Sequence, residues 1–378
     1  MEEWKEYKLG DVLTIKYGKD HKQLADGDIP IYGSGGIMRY GERSLYDGPS
    51  ILIPRKGSLN NVIYADKPFW TVDTMFWSII NDSIANPLFV YYSICKKDFA
   101  SLNVGSAVPS LTVPVIEDID ILLPPKATQD KVVSILKSLD DKIELNRHIN
   151  DNLEQQAQAL FKSWFVDFEP FKKGKFIDSE LGMIPEGWQV EELGNITNSI
   201  TEKVGKRTDI KVLSPVNTGD LLLSEEYFTK QVYSKNLAKY IMVAPNDFAY
   251  NPARINIGSI GMNTFDFSGC VSPVYVVFRC EKEYHHFFNI FKATKNFKEE
   301  VNTRAIGGVR QTLSYKDFSL IKIVYPPKEA VERFNKIYSH IMTLIKKNVL
   351  ENKRLHQTRD TLLPKLMSGE LKINDINN

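Results

Sequence analysis

The strongest constraint on this chain is that it repeats itself. Ile121-Leu122-Leu123-Pro124-Pro125-Lys126 returns as Ile323-Val324-Tyr325-Pro326-Pro327-Lys328, an offset of 328 − 126 = 202 residues, and Leu111 keeps that offset to Leu313. Near the front, Trp4 and Leu9-Gly10 match Trp188 and Leu193-Gly194 at 188 − 4 = 184, so the second copy carries 202 − 184 = 18 extra residues in its interior. The chain is a tandem duplication, and every later boundary follows from it.

Each Pro-Pro-Lys opens a run of over thirty residues in which apolar positions advance by alternating steps of four and three, a heptad seam. The first seam reads Val132, Leu136, Leu139, Ile143, Asn146, Asn150, Leu153, Ala157, Leu160, Trp164, and the same steps give Phe334, Tyr338, Ile341, Ile345, Asn348, Asn352, Leu355, Arg359, Leu362, Leu366 in the second. A helix of nearly forty residues reaches roughly 58 Å, and two such rods are expected to pair. Antiparallel pairing sets Asn146 near Asn352 and Asn150 near Asn348, where amides fix register at a cost in stability. The alternative is that these asparagines are solvent-facing breaks. Pro364, standing where Lys162 stands, is expected to kink or end the second helix.

Between the helices, residues 10–125 and 194–325 are rich in Tyr, Phe, Ile, Val and Thr in short runs with turn punctuation such as Gly33-Ser34-Gly35-Gly36 and Gly307-Gly308. Each reads as a β-rich, mixed α/β globule with a short helix near 87–99 and 282–301. The expected fold is therefore α+β: two globules separated by two long antiparallel helices in a coiled coil, pseudo-two-fold symmetric. The expected organisation is a globule at 1–125, a long helix at 126–168, a linker at 169–187, a second globule at 188–325, and a second long helix with its tail at 326–378. A chain of 378 residues has room for about two or three domains.

Catalytic machinery is not apparent. No phosphate-binding glycine loop, dinucleotide fingerprint or His-Glu-x-x-His occurs, and His285-His286 reads as surface histidine. Nor is there the Asp/Asn-Pro-Pro-aromatic tetrapeptide that an amino-group methyltransferase needs to hold a flipped base. Three cysteines, Cys95, Cys270 and Cys280, are too few and too scattered for a disulfide framework. No run approaches a membrane span and the start lacks the order of a secretory signal, so the expected location is the cytoplasm. A net charge of +1 announces no nucleic-acid partner in bulk, so any phosphate binding must come from local patches.

Such patches exist. Arg55-Lys56-Gly57-Ser58-Leu59-Asn60-Asn61 places two cations beside hydroxyl and amide side chains, a composition suited to phosphate contact plus base-edge hydrogen bonds. Its counterpart, about 200 residues on, is Asn251-Pro252-Ala253-Arg254-Ile255-Asn256-Ile257-Gly258-Ser259. Tyr32 and Ser34 with Arg39 and Arg43, and residues 304–311 with Arg304, Arg310 and Gln311, could complete the two sites.

A resemblance enters through other residues. Leu160-Phe161-Lys162-Ser163-Trp164-Phe165-Val166-Asp167-Phe168-Glu169-Pro170-Phe171, then Glu180-Leu181-Gly182-Met183-Ile184-Pro185-Glu186-Gly187-Trp188, and Leu362-Leu363-Pro364-Lys365-Leu366-Met367-Ser368-Gly369-Glu370 look like conserved regions of the type I restriction-modification specificity subunit. The resemblance covers nearly the whole chain. It implies two target-recognition domains held apart by antiparallel helices, each reading one half of a split DNA sequence in the major groove, with helix length setting the unread gap. It also implies two methylation subunits that bind S-adenosylmethionine and two restriction subunits that bring ATP and Mg-dependent work. The present chain is then a non-catalytic subunit without its own cofactor or metal. Near-neutral charge then implies weak DNA binding by this chain alone. The rival readings are a duplicated coiled-coil adaptor that binds protein partners without DNA, and an enzyme with a nonstandard site.

Overall fold

The computed structural model describes residues 4–104, 109–228, 230–305 and 312–371. The chain divides into two compact units, Met1–Arg147 with Asn348–Asn378, and His148–Lys347. It is α+β, with two helices of 40 residues, Lys126–Phe165 and Lys328–Met367.

In the first unit, an antiparallel sheet has the order Leu13–Tyr17, Met75–Ile80, Ser50–Pro54, Ile63–Ala65. A second sheet joins Gly36–Gly41, Ile29–Gly33 and Trp70–Thr71. Ser50–Pro54 is buried at every position, as expected of a central strand covered on both faces. A ribbon closes the unit: Lys5 pairs with Leu123 and Lys8 with Asp120. Pro-Pro then stops the strand. The Pro125 carbonyl accepts from Thr128 N at 2.8 Å and from Gln129 N at 3.1 Å, and the helix begins, since proline's fixed φ and missing donor suit a helix start.

The second unit follows the same plan. Thr197–Ile200, Val276–Cys280, Phe248–Tyr250 and Ile260–Met262 form the four-stranded sheet, and Gln189 pairs with Tyr325 in the ribbon. Ribbon partners thus keep the offsets of 184 and 202 residues, because 189 − 5 = 184 and 325 − 123 = 202. The expected short helix is Pro87–Ile94 in the first unit. In the second it is two helices, His285–Phe291 and Lys295–Arg304, because Thr294 Oγ1 accepts from Phe297 N and starts a new one.

Both units contain one half of each long helix, and in each the halves run antiparallel. In the first, Leu136 shares a core with Leu363 and Leu366. Asn146 there meets Asn352, whereas Asp140, earlier on one helix, meets Arg359, later on the other. In the second, Phe161, Trp164 and Phe165 gather around Phe334 at ring separations of 5.0–6.2 Å. The helix does not stop at Pro364 but continues to Met367. That proline lies in the final turn, so it forfeits one hydrogen bond, while buried Leu363 and Leu366 anchor the turn on either side.

Candidate nucleic-acid interface

In both units the repeated leucine straps down the loop that follows a core strand. Leu111 N donates to the Arg55 carbonyl at 2.9 Å, and Leu313 N donates to the Pro252 carbonyl at 3.1 Å. Both leucines are buried. The loops 55–61 and 251–259 are therefore held in equivalent places by equivalent bonds.

In the first unit this loop meets the Gly33-Ser34-Gly35-Gly36 turn. Asn61 Nδ2 donates to the Ser34 carbonyl at 2.9 Å. Gly57 has φ +88°, a left-handed conformation that favours glycine, and its Cα faces Ser34 Oγ closely enough that a Cβ would make the serine hydroxyl rotate away. Lys56 and Ser58 are exposed beside it. The Arg55 guanidinium lies 5.6 Å over the Tyr17 ring and donates to the Asp73 carbonyl at 3.3 Å. Arg43 sits 5.8 Å over Trp70. Tyr32 is half-buried, and loss of solvent raises its phenol pKa.

Several residues expected to touch DNA are committed to the fold instead. Arg39 donates to the carbonyls of His21 at 2.7 Å and Leu24 at 2.8 Å and pairs with Asp26 at 3.0 Å. Asn60 donates to Asp98 and accepts from Ala100 N at 2.8 Å, pinning the turn Phe99–Leu102. Ser259 is 3% exposed, with its hydroxyl donating to the Pro215 carbonyl at 2.7 Å, so it cannot reach a base. Arg304 pairs with Glu300 one turn back on its own helix. Arg254 is exposed and Asn256 half-buried. Arg310 and Gln311 lie outside the described residues.

Along the helices, Val132, Leu136, Ile143, Phe334, Tyr338, Ile341 and Ile345 are buried, while Leu139, Leu153, Leu160, Leu355 and Leu362 are half-buried. Asn146 is 0% exposed and donates to Asn352 Oδ1 at 2.8 Å and to Glu351 Oε2 at 2.9 Å. Asn352 Nδ2 donates to the Ile143 carbonyl at 3.3 Å. Asn150 and Asn348 are half-buried. Heptad reading missed Val133, Phe161, Phe165 and Leu363, which are buried one step off the seam because the helix ends also pack on a globule. Their signal is an apolar stripe that widens toward each helix end.

The histidine pair is not surface-borne. His286 is half-buried with its ring 5.0 Å from Tyr338, and burial lowers its pKa to about 4. Among the described residues no three His, Cys, Asp or Glu side chains gather as a metal would need, and no helix is long and apolar enough to cross a membrane.

Residues 1–155 match the family described as type I restriction modification DNA specificity domain. The chain is 27% identical over 410 residues to the type I restriction enzyme MjaIX specificity subunit of Methanocaldococcus jannaschii, covering 98% of this chain and 89% of the relative. It is 22% identical over 464 residues to the HindI specificity subunit of Haemophilus influenzae, covering 98% and 100%. The crystal structure of a type I restriction-modification system S subunit from M. genitalium shares the fold, with TM-score 0.62 at 14% identity over 97% of this chain and 96% of that one.

Proposed function

We propose, from the premise that the chain belongs to the type I restriction-modification specificity family, that its two units read the two halves of a split DNA target. The observation that carries this reading is the pair of straps: the leucine bond holds the loop opening Arg55-Lys56-Gly57-Ser58 in one unit and Pro252-Ala253-Arg254-Ile255 in the other. Equal frames with unequal side chains suit two half-sites of different sequence, since base edges are read by side chains while the frame sets register on the phosphates.

The long helices set the unread gap. Each is 40 residues, about 60 Å at 1.5 Å per residue, and a turn of duplex is about 34 Å. Methylation subunits, two per chain, dock on this subunit and bring S-adenosylmethionine. Two restriction subunits that use ATP and Mg follow them. The work of this chain is address, not chemistry.

Footprinting of the assembled complex on DNA carrying the motif methylated in the host genome tests the reading. Two short protected blocks with a fixed gap are expected, and a protein adaptor protects none. Replacing residues 10–110 with the corresponding segment of another specificity subunit is expected to change one half of the motif only. Inserting one heptad at equivalent places in both helices is expected to lengthen the gap and leave both half-sequences intact.

A further inference from the structure

Two surface clefts open beside loops that occupy the same place in the repeat; the first also borders the Gly33-Ser34-Gly35-Gly36 turn, whereas the second shares no lining residue with the loop 251–259. In the first unit a cleft of about 550 Å³ opens at Asp20, His21 and Lys22, after the strand Leu13–Tyr17. In the second, a cleft of about 620 Å³ opens at Gly205, Lys206 and Arg207, after the strand Thr197–Ile200. Both sit at the 184-residue offset, because 206 − 22 = 184.

Both loops are built, not draped. Each stands over a small apolar cluster separate from the main core: Leu24, Ile31, Trp70 and Val72 under the first, and Val204, Val212, Tyr240 and Cys270 under the second. Each is also tied by an arginine that reaches backbone carbonyls of that loop, half-buried in the first unit and exposed in the second. In the first unit this is Arg39. In the second, Arg207 Nη1 donates to the Lys203 carbonyl at 2.9 Å while Nη2 pairs with Glu202 at 2.6 Å. The second cleft is further zipped along its floor, where Val204 N donates to the Tyr240 carbonyl at 2.9 Å and Gly205 N to the Ala238 carbonyl at 3.0 Å.

The two differ in charge. Residues 18–28 hold two lysines against three aspartates, whereas the equivalent residues 202–212 hold four cations, Lys203, Lys206, Arg207 and Lys211, against Glu202 and Asp209, and Lys235 stands with Lys206 and Arg207 in the lining of the cleft. Lys206 and Lys235 are exposed, and no hydrogen bond or ion pair with another described residue engages either side chain. A solvent-open cleft with uncommitted ammonium groups on both walls matches a phosphodiester backbone better than a base edge.

We infer that this cleft is a phosphate grip by which the second unit holds the DNA backbone, with Lys206 and Lys235 making the contacts and Arg207 positioning the loop. The inference rests on the DNA-reading function proposed above and adds to it a contact site outside the loop 251–259.

The test measures binding of a duplex oligonucleotide carrying the host's methylated motif to the full chain assembled with its methylation subunits, across a salt series. The Lys206→Gln/Lys235→Gln variant is expected to bind about tenfold more weakly, with the slope of log affinity against log salt reduced by about two, and with the methylated motif unchanged. Because both lysines are exposed, the variant is expected to unfold at the wild-type temperature. Glu202→Gln, which frees Arg207 and removes an acidic charge beside the cleft, is expected to leave affinity within about twofold of wild type and the slope intact. If the wild type protects two blocks and the double variant keeps its slope and affinity, the grip is overturned and the DNA reading stands. If the wild type protects no duplex, both fall.

Discussion

The two units share a frame and differ in what fills it. Ribbon register, the Pro-Pro helix start and the leucine strap recur in both, and all three are made by backbone groups or proline rings. The contrasts are between side chains. Carrying the sheet registers to the strand ends sets Asp247 opposite Arg279 in the second unit and Ser50 opposite Ile79 in the first. The second closes that corner with a bidentate ion pair, Arg279 Nε to Asp247 Oδ1 at 2.6 Å and Nη2 to Oδ2 at 2.9 Å. The first closes it with serines: Ser50 Oγ donates to the Ser78 carbonyl at 2.7 Å. A duplicated fold keeps what main-chain hydrogen bonding specifies and lets side chains diverge, which is the latitude the proposed reading of two unlike half-sites needs.

The sharpest contrast is where helix meets globule. Val132 and Phe334 are equivalent at 334 − 132 = 202, yet Phe334 sits among Phe161, Trp164, Phe165 and Tyr338, all aromatic. Phe334→Ala is expected to cost about 3–5 kcal/mol, and Val132→Ala about 2 kcal/mol. Chemical denaturation with hydrogen exchange resolved by unit checks both, and equal losses would mean that the aromatic cluster adds nothing beyond burial.

The corner pair comes next. Asp247 is 1% exposed, so Arg279→Ile leaves a carboxylate buried without its partner. The expected loss is about 2–3 kcal/mol, kept below the fully buried limit because Arg279 itself is partly in solvent. Importing the first unit's whole solution, Arg279→Ile with Asp247→Ser, is expected to recover most of it. A double variant no more stable than the single one breaks the equivalence of the two corners.

Acid sensitivity separates the units by a smaller margin. His286 has Tyr338, His285 and Lys346 around it, and its pKa is lowered to about 4 from 6.5, first by burial and then by repulsion of its charged form by His285 and Lys346. A depressed folded pKa means that the unfolded chain binds the proton first. The stabilisation is therefore complete above about pH 6.5 and is lost as pH falls toward 4, by about 2 kcal/mol with the ring's residual solvent contact. His286→Phe is expected to flatten the second unit's stability between those values. A profile unchanged by the substitution would assign the acid response to other groups.

These contrasts also mark what could be read from the letters alone. Duplication and the two long helices are legible because a 202-residue offset and a four-three alternation are one-dimensional patterns that a helix or a copied frame must preserve. The committed roles of Arg39, Asn60 and Ser259 are not legible, since their partners are backbone carbonyls, a backbone amide and a carboxylate brought near only by folding. His286 reads as surface because its burial comes from Tyr338, 52 residues away. The cleft at 205–210 had a signal, four cations within 203–211, but its other wall at 235–238 lies across a turn that no periodicity announces.

The smallest expected effect concerns the seam of the first unit, where Asn146 and Asn352 meet; the second unit's seam carries one such amide, Asn150, beside Tyr338, Ile341 and Ile345. Asn146 donates to both Asn352 and Glu351 from full burial, so Asn146→Leu strands the Asn352 carbonyl oxygen against a methyl group and is expected to cost about 1–2 kcal/mol. Replacing both, Asn146→Leu with Asn352→Leu, removes the buried polar groups together and is expected to return stability to within about 1 kcal/mol of wild type. Register is then held by apolar packing alone, which tolerates a slip of one heptad. Cysteine pairs placed across the seam at the native and slipped registers measure this. Cross-linking confined to the native pair in wild type and shared between both pairs in the double variant makes the amides a register lock; native-only cross-linking in both leaves that role to the Asp140–Arg359 ion pair, 2.7 Å long, further along the same two helices.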